Sequence, residues 1–213
     1  MRNVAGKAME IIVVDNNSTD GTKKVIERYL AVTYLFEGQK GITRARQRGF
    51  LGSTGGILAY VDADTLPPPG WIEQIWEQFG ARKDLACLSG PYSFYDLSGI
   101  RNKVSAGWFV AARPLYRIVG YMIVGGIFAI RRDALEKTGG FDSSIEFYGE
   151  DADIARRASK QGKVVFSPRF VMPTSGRRMK KEGFVKMAAI YVINYLSIVI
   201  RCKPATKAYK DVR

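Results

Sequence analysis

Three groups of acidic residues have the types and the surroundings to do chemistry. Asp15 closes the apolar run 10–14, Asp62-Ala63-Asp64 closes the run 56–61, and Gly149-Glu150-Asp151-Ala152-Asp153 opens a helical segment. Asp62 and Asp64, one residue apart on a strand, point the same way and can share one hard divalent cation whose other ligands are phosphate oxygens. A departing pyrophosphate needs such a cation, because charge builds on its oxygens as the bond breaks. Each group alone has a plainer reading. Asp15 caps the next helix, an Asp-x-Asp pair sits in many turns, and Glu150, Asp151 and Asp153 face a helix dipole. The case for a site rests on all three appearing in this order, each after the right kind of element.

Absent residue types narrow the chemistry further. The 213 residues contain no histidine, which excludes a Ser-His-Asp triad, a Cys-His pair and a His-ligated zinc. Acid–base work therefore falls to carboxylates, lysine, tyrosine or cysteine. Cys87 and Cys202 specify no disulfide framework, and a reducing compartment is the simpler reading. With 46% hydrophobic and 25% charged residues, the composition is that of one globular domain, neither disordered nor multi-span.

Strands alternating with helices must position these groups. Strands are expected near 10–14, 32–36, 56–61, 85–88, 123–130 and 164–166. The helix after Gly21 should bury Val25, Ile26, Tyr29 and Leu30, and the one after Pro67-Pro68-Pro69 should bury Ile72, Ile75, Trp76 and Phe79. The pattern predicts an α/β fold with a mostly parallel, covered sheet, with ligands at the carboxyl ends of its strands. Residues 89–119 have no clear element and are read as the acceptor-facing part.

The formal net charge is +13, and 177–213 alone holds ten basic against two acidic residues. That surplus brackets an apolar run of about 14 residues, Met187 to Ile200, short of the ~20 that span a bilayer. The pattern suits a helix at an anionic membrane surface, and equally a core helix with solvated ends. Nucleic acid is not expected as a partner, since no helix-turn-helix, zinc-finger or RNP-like pattern is present. No secretory signal peptide is visible, so the expected location is the cytoplasm, peripheral at the inner face of the membrane.

The segments 10–22 (Glu-Ile-Ile-Val-Val-Asp-Asn-Asn-Ser-Thr-Asp-Gly-Thr), 45–49 (Ala-Arg-Gln-Arg-Gly) and 60–65 (Tyr-Val-Asp-Ala-Asp-Thr) carry a resemblance. With 125–135 (Gly-Gly-Ile-Phe-Ala-Ile-Arg-Arg-Asp-Ala-Leu), Gly-Gly-Phe-Asp at 139–142 and 149–153, the chain resembles the family 2 glycosyltransferases of the A-type nucleotide-sugar fold. The resemblance covers roughly residues 8–178. It implies residues 1–178 as catalytic domain, lacking the family's usual opening strand and helix, and 179–213 as a basic amphipathic helix and tail. The implied activity is metal-dependent transfer of a sugar from a nucleotide-diphosphate donor to an acceptor hydroxyl, expected on a lipid-linked or cell-envelope glycan, with inversion at the anomeric carbon. In that frame Asp15 hydrogen-bonds the nucleobase, Arg46 positions the nucleotide, and Asp62 lies near the ribose and the metal. Asp64 is the main Mg²⁺ or Mn²⁺ ligand and Asp151 the base that deprotonates the acceptor. Glu150 and Asp153 are weaker claimants to that role, with Glu150 also a candidate diphosphate or acceptor contact. Arg177 and Arg178 neutralise the leaving diphosphate or, equally, face a membrane.

The strand of the Val-Ser-Val-Ile-Ile-Pro type that opens the family is missing ahead of Glu10, which is expected to remove part of the base pocket. The Gln-x-x-Arg-Trp signature of processive synthases is missing too, which points to single transfers or short glycans. Two competing functions remain at this stage. A sugar nucleotidyltransferase should carry a Gly-rich, basic phosphate loop near its start, and none is seen. A catalytically inactive domain that binds membrane or a partner fits the missing strand but not the retained acidic groups.

Overall fold

A computed structural model of the chain describes residues 2–4, 7–97 and 113–206, and in it the apolar runs become strands. Two short strands, β1 (Arg2–Val4) and β2 (Lys7–Met9), pair antiparallel ahead of β3 (Ile12–Asp15). Next come α1 (Thr22–Ile26), β4 (Thr33–Phe36), α2 (Ile42–Leu51), β5 (Ile57–Val61) and α3 (Trp71–Ala81). β6 (Leu85–Ser89), β7 (Tyr92–Phe94), α4 (Arg113–Val119), β8 (Ile127–Arg131) and α5 (Arg132–Lys137) follow. The described chain closes with α6 (Glu150–Ala158), β9 (Lys163–Phe166), β10 (Met172–Thr174), α7 (Arg177–Glu182) and α8 (Phe184–Arg201). Residues 98–112, the middle of the segment read as acceptor-facing, lie outside the described residues.

The central sheet is mixed. Its order is β5-β8-β6-β9, with β6 and β9 parallel and β8 antiparallel to both its neighbours. α3 returns the chain from β5 to β6, leaving a slot between them. β8 enters that slot after a turn at Gly125-Gly126, where Gly126 takes φ +79°, a conformation a side chain disfavours. β3 and β4 form a separate parallel pair, as do β7 and β10.

Burial on both faces explains the unbroken apolar strands. On β8, Phe128 and Ile130 point into a core with Leu58, Cys87, Leu135 and Ile154, covered by α5 and α6. Ile127 and Ala129 point the other way, into a core with Leu85, Leu88 and the α3 residues Trp71, Ile75 and Phe79. The buried row of α3 is thus 71, 75 and 79, with Ile72 and Trp76 at its margin.

One sequence expectation is corrected. The helix after Gly21 ends at Ile26, its one buried residue, and Val25, Tyr29 and Leu30 are exposed. One turn and a half without an opposing apolar surface gains too little from packing to extend. The C-terminal helix runs for 18 residues, holding the 14-residue apolar run with Phe184, Val185 and Lys186 before it and Arg201 after it. β10 went unread because a three-residue strand containing Pro173 carries no periodicity; it is held by its parallel pairing to β7.

Candidate active site

The carboxyl end of β5 places Asp62 where its backbone N–H donates to the Gly126 carbonyl (3.1 Å). The following turn is stapled to β10: Leu66 N–H donates to the Pro173 carbonyl (2.8 Å), and the Thr65 and Thr174 hydroxyls lie 2.9 Å apart. Asp62 and Asp64 both line one cavity of about 440 Å³. Glu150 and Asp151, in the first turn of α6, line it from the opposite side, and Arg46, Arg177 and Arg178 complete its charged wall.

Arg46 comes from the inner face of α2, which Thr43 anchors by donating its hydroxyl to the Ile145 carbonyl (2.6 Å). The buried guanidinium reaches Glu150 Oε1 at 3.2 Å and Asp62 Oδ1 at 3.5 Å, bridging the two acidic groups. Burial works against its charge, but Asp62 and Glu150 outweigh that and hold it as a cation. Burial also raises the Asp62 carboxyl, against the pull of Arg46. Glu150 is raised by burial and then by the charge of Asp151, and Asp151 is raised chiefly by burial. Asp151 Oδ2 accepts the Gly125 N–H (3.2 Å) and Oδ1 accepts the Ala152 N–H (2.8 Å).

Gly125 and Gly126 make this convergence sterically feasible. A Cβ at Gly126 would overlap the Asp62 carboxylate and the Tyr92 hydroxyl, and one at Gly125 would come within 2.8 Å of Glu150 Oε1. The Tyr92 hydroxyl donates to the Gly125 carbonyl (2.9 Å) and so braces the turn.

Arg177 forms an ion pair with Asp64 (3.1 Å), and the Arg178 guanidinium lies over the Phe147 ring at 4.6 Å. Asp96 positions both arginines. Its carboxylate accepts the Ser175 hydroxyl (2.9 Å) and the Gly176 N–H, and lies 3.4 Å from Lys180, fixing the start of α7.

Of the residues singled out in the sequence, Arg46, Asp62, Asp64, Glu150, Asp151, Arg177 and Arg178 meet around this cavity. Asp15 does not line it. At the end of β3 its buried carboxylate accepts the Ser18 N–H (2.9 Å) and the Tyr34 hydroxyl (3.1 Å). Those hydrogen bonds outweigh burial and hold it below the usual carboxylate range. Asp153 turns away and pairs with Arg156 (3.1 Å) and Arg157 (2.6 Å). Among the described residues no three metal-ligating side chains cluster. Two aspartates facing one cavity do not cage an ion, but they fit a hard cation that completes its shell with phosphate oxygens and water. Arg177 on Asp64 already marks that carboxylate as a place for positive charge.

The family model described as "Glycosyl transferase family 2" matches residues 1–139, well over half of the chain. The chain belongs to glycosyl transferase family 2. A second model, "N-terminal domain of galactosyltransferase", matches residues 109–181 of this family 2 chain and so covers its α6 acidic group. The glycosyltransferase AglE of Haloferax volcanii is 39% identical over 71 residues, covering 30% of this chain and 23% of the relative. Polypeptide N-acetylgalactosaminyltransferase 13 of Rattus norvegicus is 26% identical over 66% of this chain and 30% of its own. The family 2 chain thus spans well under half the length of these curated relatives.

Among solved structures, the mannosyltransferase PcManGT from Pyrobaculum calidifontis in complex with GDP-Man and Mn²⁺ superposes at TM-score 0.66. That likeness has 21% identity and covers 90% of this chain and 55% of the other. Glucosyl-3-phosphoglycerate synthase from Mycobacterium tuberculosis, with Mn²⁺, UDP and phosphoglyceric acid, superposes at 0.61, with 19% identity over 92% and 70%. These likenesses show the A-type nucleotide-sugar transferase fold for the family 2 chain.

Sequence reasoning gave Gly125, Gly126, Tyr92 and Asp96 no role at the site. The paired glycines were the readable signal, since two in succession within an apolar run mark a close backbone approach. Asp96 and Tyr92 left none, because their partners lie dozens of residues away.

Proposed function

We propose that this chain is a metal-dependent, inverting glycosyltransferase that moves a sugar from a nucleotide-diphosphate donor to an acceptor hydroxyl. The observation that carries this reading is the meeting of Asp62, Asp64 and Asp151, from two distant elements, around one cavity also lined by Arg46 and Arg177. Asp64, with Asp62 beside it, would hold Mg²⁺ or Mn²⁺, as the Mn²⁺-bound neighbours of the same fold suggest. When bound, the ion supplies positive charge to the diphosphate oxygens.

Asp151 is the base. Its carboxylate takes the acceptor hydroxyl proton as the acceptor oxygen forms its bond to the anomeric carbon, while the bond from that carbon to the diphosphate oxygen breaks and its electron pair leaves with the nucleotide. Attack from the face opposite the leaving group inverts the carbon. A carboxylate suffices because the hydroxyl becomes acidic only as its new bond forms. Arg46 holds Asp62 and Glu150 in place and also borders the nucleotide. Arg177 exchanges Asp64 for the leaving diphosphate, with Arg178 beside it, and Glu150 borders the acceptor or the diphosphate.

Asp15, outside the cavity, contacts the nucleobase only if the base extends past Arg46 toward β3. Residues 1–178 form the catalytic domain, and 179–213 shape the acceptor side through Met179, Phe184, Ala188 and Tyr191. The acceptor is a lipid-linked or cell-envelope glycan, used at the inner face of a membrane.

The test is thermal unfolding with UDP, GDP, dTDP and ATP, each with and without Mn²⁺. A ligand at 100 times its dissociation constant stabilises by about 2.7 kcal/mol. One diphosphate that stabilises only with Mn²⁺, with the effect lost in Asp64→Ala, is the expected result. No stabilisation by any of them means an inactive domain instead.

A further inference from the structure

α8 has three faces of different character. Its core face, Met187, Asn194, Ser197 and Ile198, is buried against the body of the protein. Ile198 packs with Ile145 and Ala152 and lies over Gly149, where an added Cβ would come within 3.3 Å of it. A second face, Phe184, Ala188, Tyr191 and Tyr195, lines the cavity. The third carries Val185, Ala189, Ile193, Leu196 and Ile200, all solvent-exposed, with Val185 80% and Ile200 76% accessible.

At about 100° of rotation per residue, this stripe adjoins the cavity-lining face directly, with Val192 and Val199 between them. The apolar surface therefore continues from the cavity wall round to the outside of the protein. The stripe is about 22 Å long at 1.5 Å per residue. Exposed lysine and arginine stand at both of its ends, Lys181 before it and Lys186 beside its first residue, Arg201 and Lys203 after it. By length and composition α8 could cross a membrane. The fold argues against crossing: the core face is packed along the helix, and Asn194 accepts the N–H groups of Ala205 and Thr206 (3.0 Å each), tying the following chain back to the helix.

We propose that α8 lies in the plane of an anionic membrane surface, with the 185–200 stripe among the acyl chains and the basic residues at its ends on lipid headgroups. An apolar stripe alone would suit a protein partner equally. Cationic groups at both ends, on a chain of net charge +13, match a negatively charged lipid surface. Docking does not depend on the transferase reading, but its consequence for substrate does. Because the stripe continues into the cavity wall, the acceptor would be a membrane-held amphiphile, with its hydroxyl at Asp151 and its apolar part leaving past Ala188 and Val192.

The experiment is co-sedimentation of the full chain with vesicles of phosphatidylcholine alone or mixed with phosphatidylglycerol, at low and high salt. The chain is expected to pellet with the mixed vesicles at low salt, to release at high salt, and to ignore phosphatidylcholine. Ile193→Glu with Ile200→Glu, both on the solvent face, should lower binding by at least about tenfold while the thermal midpoint stays. Arg201→Glu with Lys203→Glu provides a second variant pair with the same expectation should the first fail to fold. The proposal is overturned if the chain stays in the supernatant, binds both lipids alike or independently of salt, or binds unimpaired in both variant pairs. It is also overturned if the chain is a dimer that Ile193→Glu with Ile200→Glu makes monomeric. Vesicle binding with no nucleotide-dependent stabilisation would remove the transferase reading and the acceptor class while leaving the docking face in place.

Discussion

Arg46 shows how one residue organises the site. Without its guanidinium, Asp62 and Glu150 would be like charges on a partly buried wall, with nothing between them to offset repulsion. Arg46→Ala is therefore expected to cost about 3–5 kcal/mol, the range for breaking a buried pair. Arg46→Lys should recover only part of that, because an ammonium cannot fork to two carboxylates. Urea unfolding of the two variants measures both. A base acts only when deprotonated, and burial raises Asp151. The transfer rate should therefore climb with pH through a limb lying above the usual carboxylate range. Glu150, pushed up to about 8 by burial and then by the charge of Asp151, is still protonated through that limb, so Glu150→Gln should leave the limb in place. Asp151→Asn should lower the rate by about 10²–10⁴-fold. A limb at ordinary carboxylate pH would remove Asp151 from the role of base.

At the scale of elements, the Gly125-Gly126 turn is the tightest constraint. Gly126→Ala puts a Cβ at φ +79° into the space of Asp62 and Tyr92. A cost above the ~1 kcal/mol typical of an incompatible backbone is expected, together with loss of the Mn²⁺-dependent nucleotide shift. Thermal unfolding reads both; a variant that keeps the full nucleotide shift would show that the turn does not shape the site. The link between α8 and the following chain gives a second prediction. Asn194 also donates to the Ile190 carbonyl (2.8 Å) and the Thr206 hydroxyl (2.9 Å), so Asn194→Ala removes the partner of several part-buried groups at once. A loss of about 1–3 kcal/mol confined to the end of α8 and faster tryptic cleavage after Arg201 are expected, with amide protection of β6 and β8 unchanged.

The whole molecule is held by a mixed sheet packed on both faces, and β8 at its centre feeds both cores. Phe128 stacks on Tyr60 at 4.8 Å, and Arg46 lies 5.6 Å from its ring, so this side chain supports the core and the site together. Phe128→Ala should cost about 3–5 kcal/mol. At about 2–4 °C per kcal/mol for a chain of this size, the midpoint should fall markedly. Circular dichroism and the fluorescence of a Trp76→Phe, Trp108→Phe background, which leaves Trp71 in the opposite core as the reporter, should fall together. Separate transitions would show that the two cores do not fold as one unit.

The local strand and helix patterns were legible because burial on both faces of a sheet demands unbroken apolar runs, as at 85–88 and 127–130, and because 71–79 carries a helical period. Asp62 and Asp64 were legible for a related reason: charged residues directly after such a run stand at a strand end, where an α/β fold opens its cleft, whereas Glu150 and Asp151 stood out at a helix start and Arg46 only through the family resemblance. Periodicity says nothing about which strand lies beside which. The antiparallel insertion of β8, the pairing of β10 with β7, and the contacts of Asp96 and Tyr92 join residues far apart in sequence. The same holds for the helix at 184–201, whose sequence fits a core and a membrane surface equally. Only its packing on Gly149 and Ile145 separates the face turned inward from the stripe left in solvent, because burial is a property of neighbours that no local pattern contains.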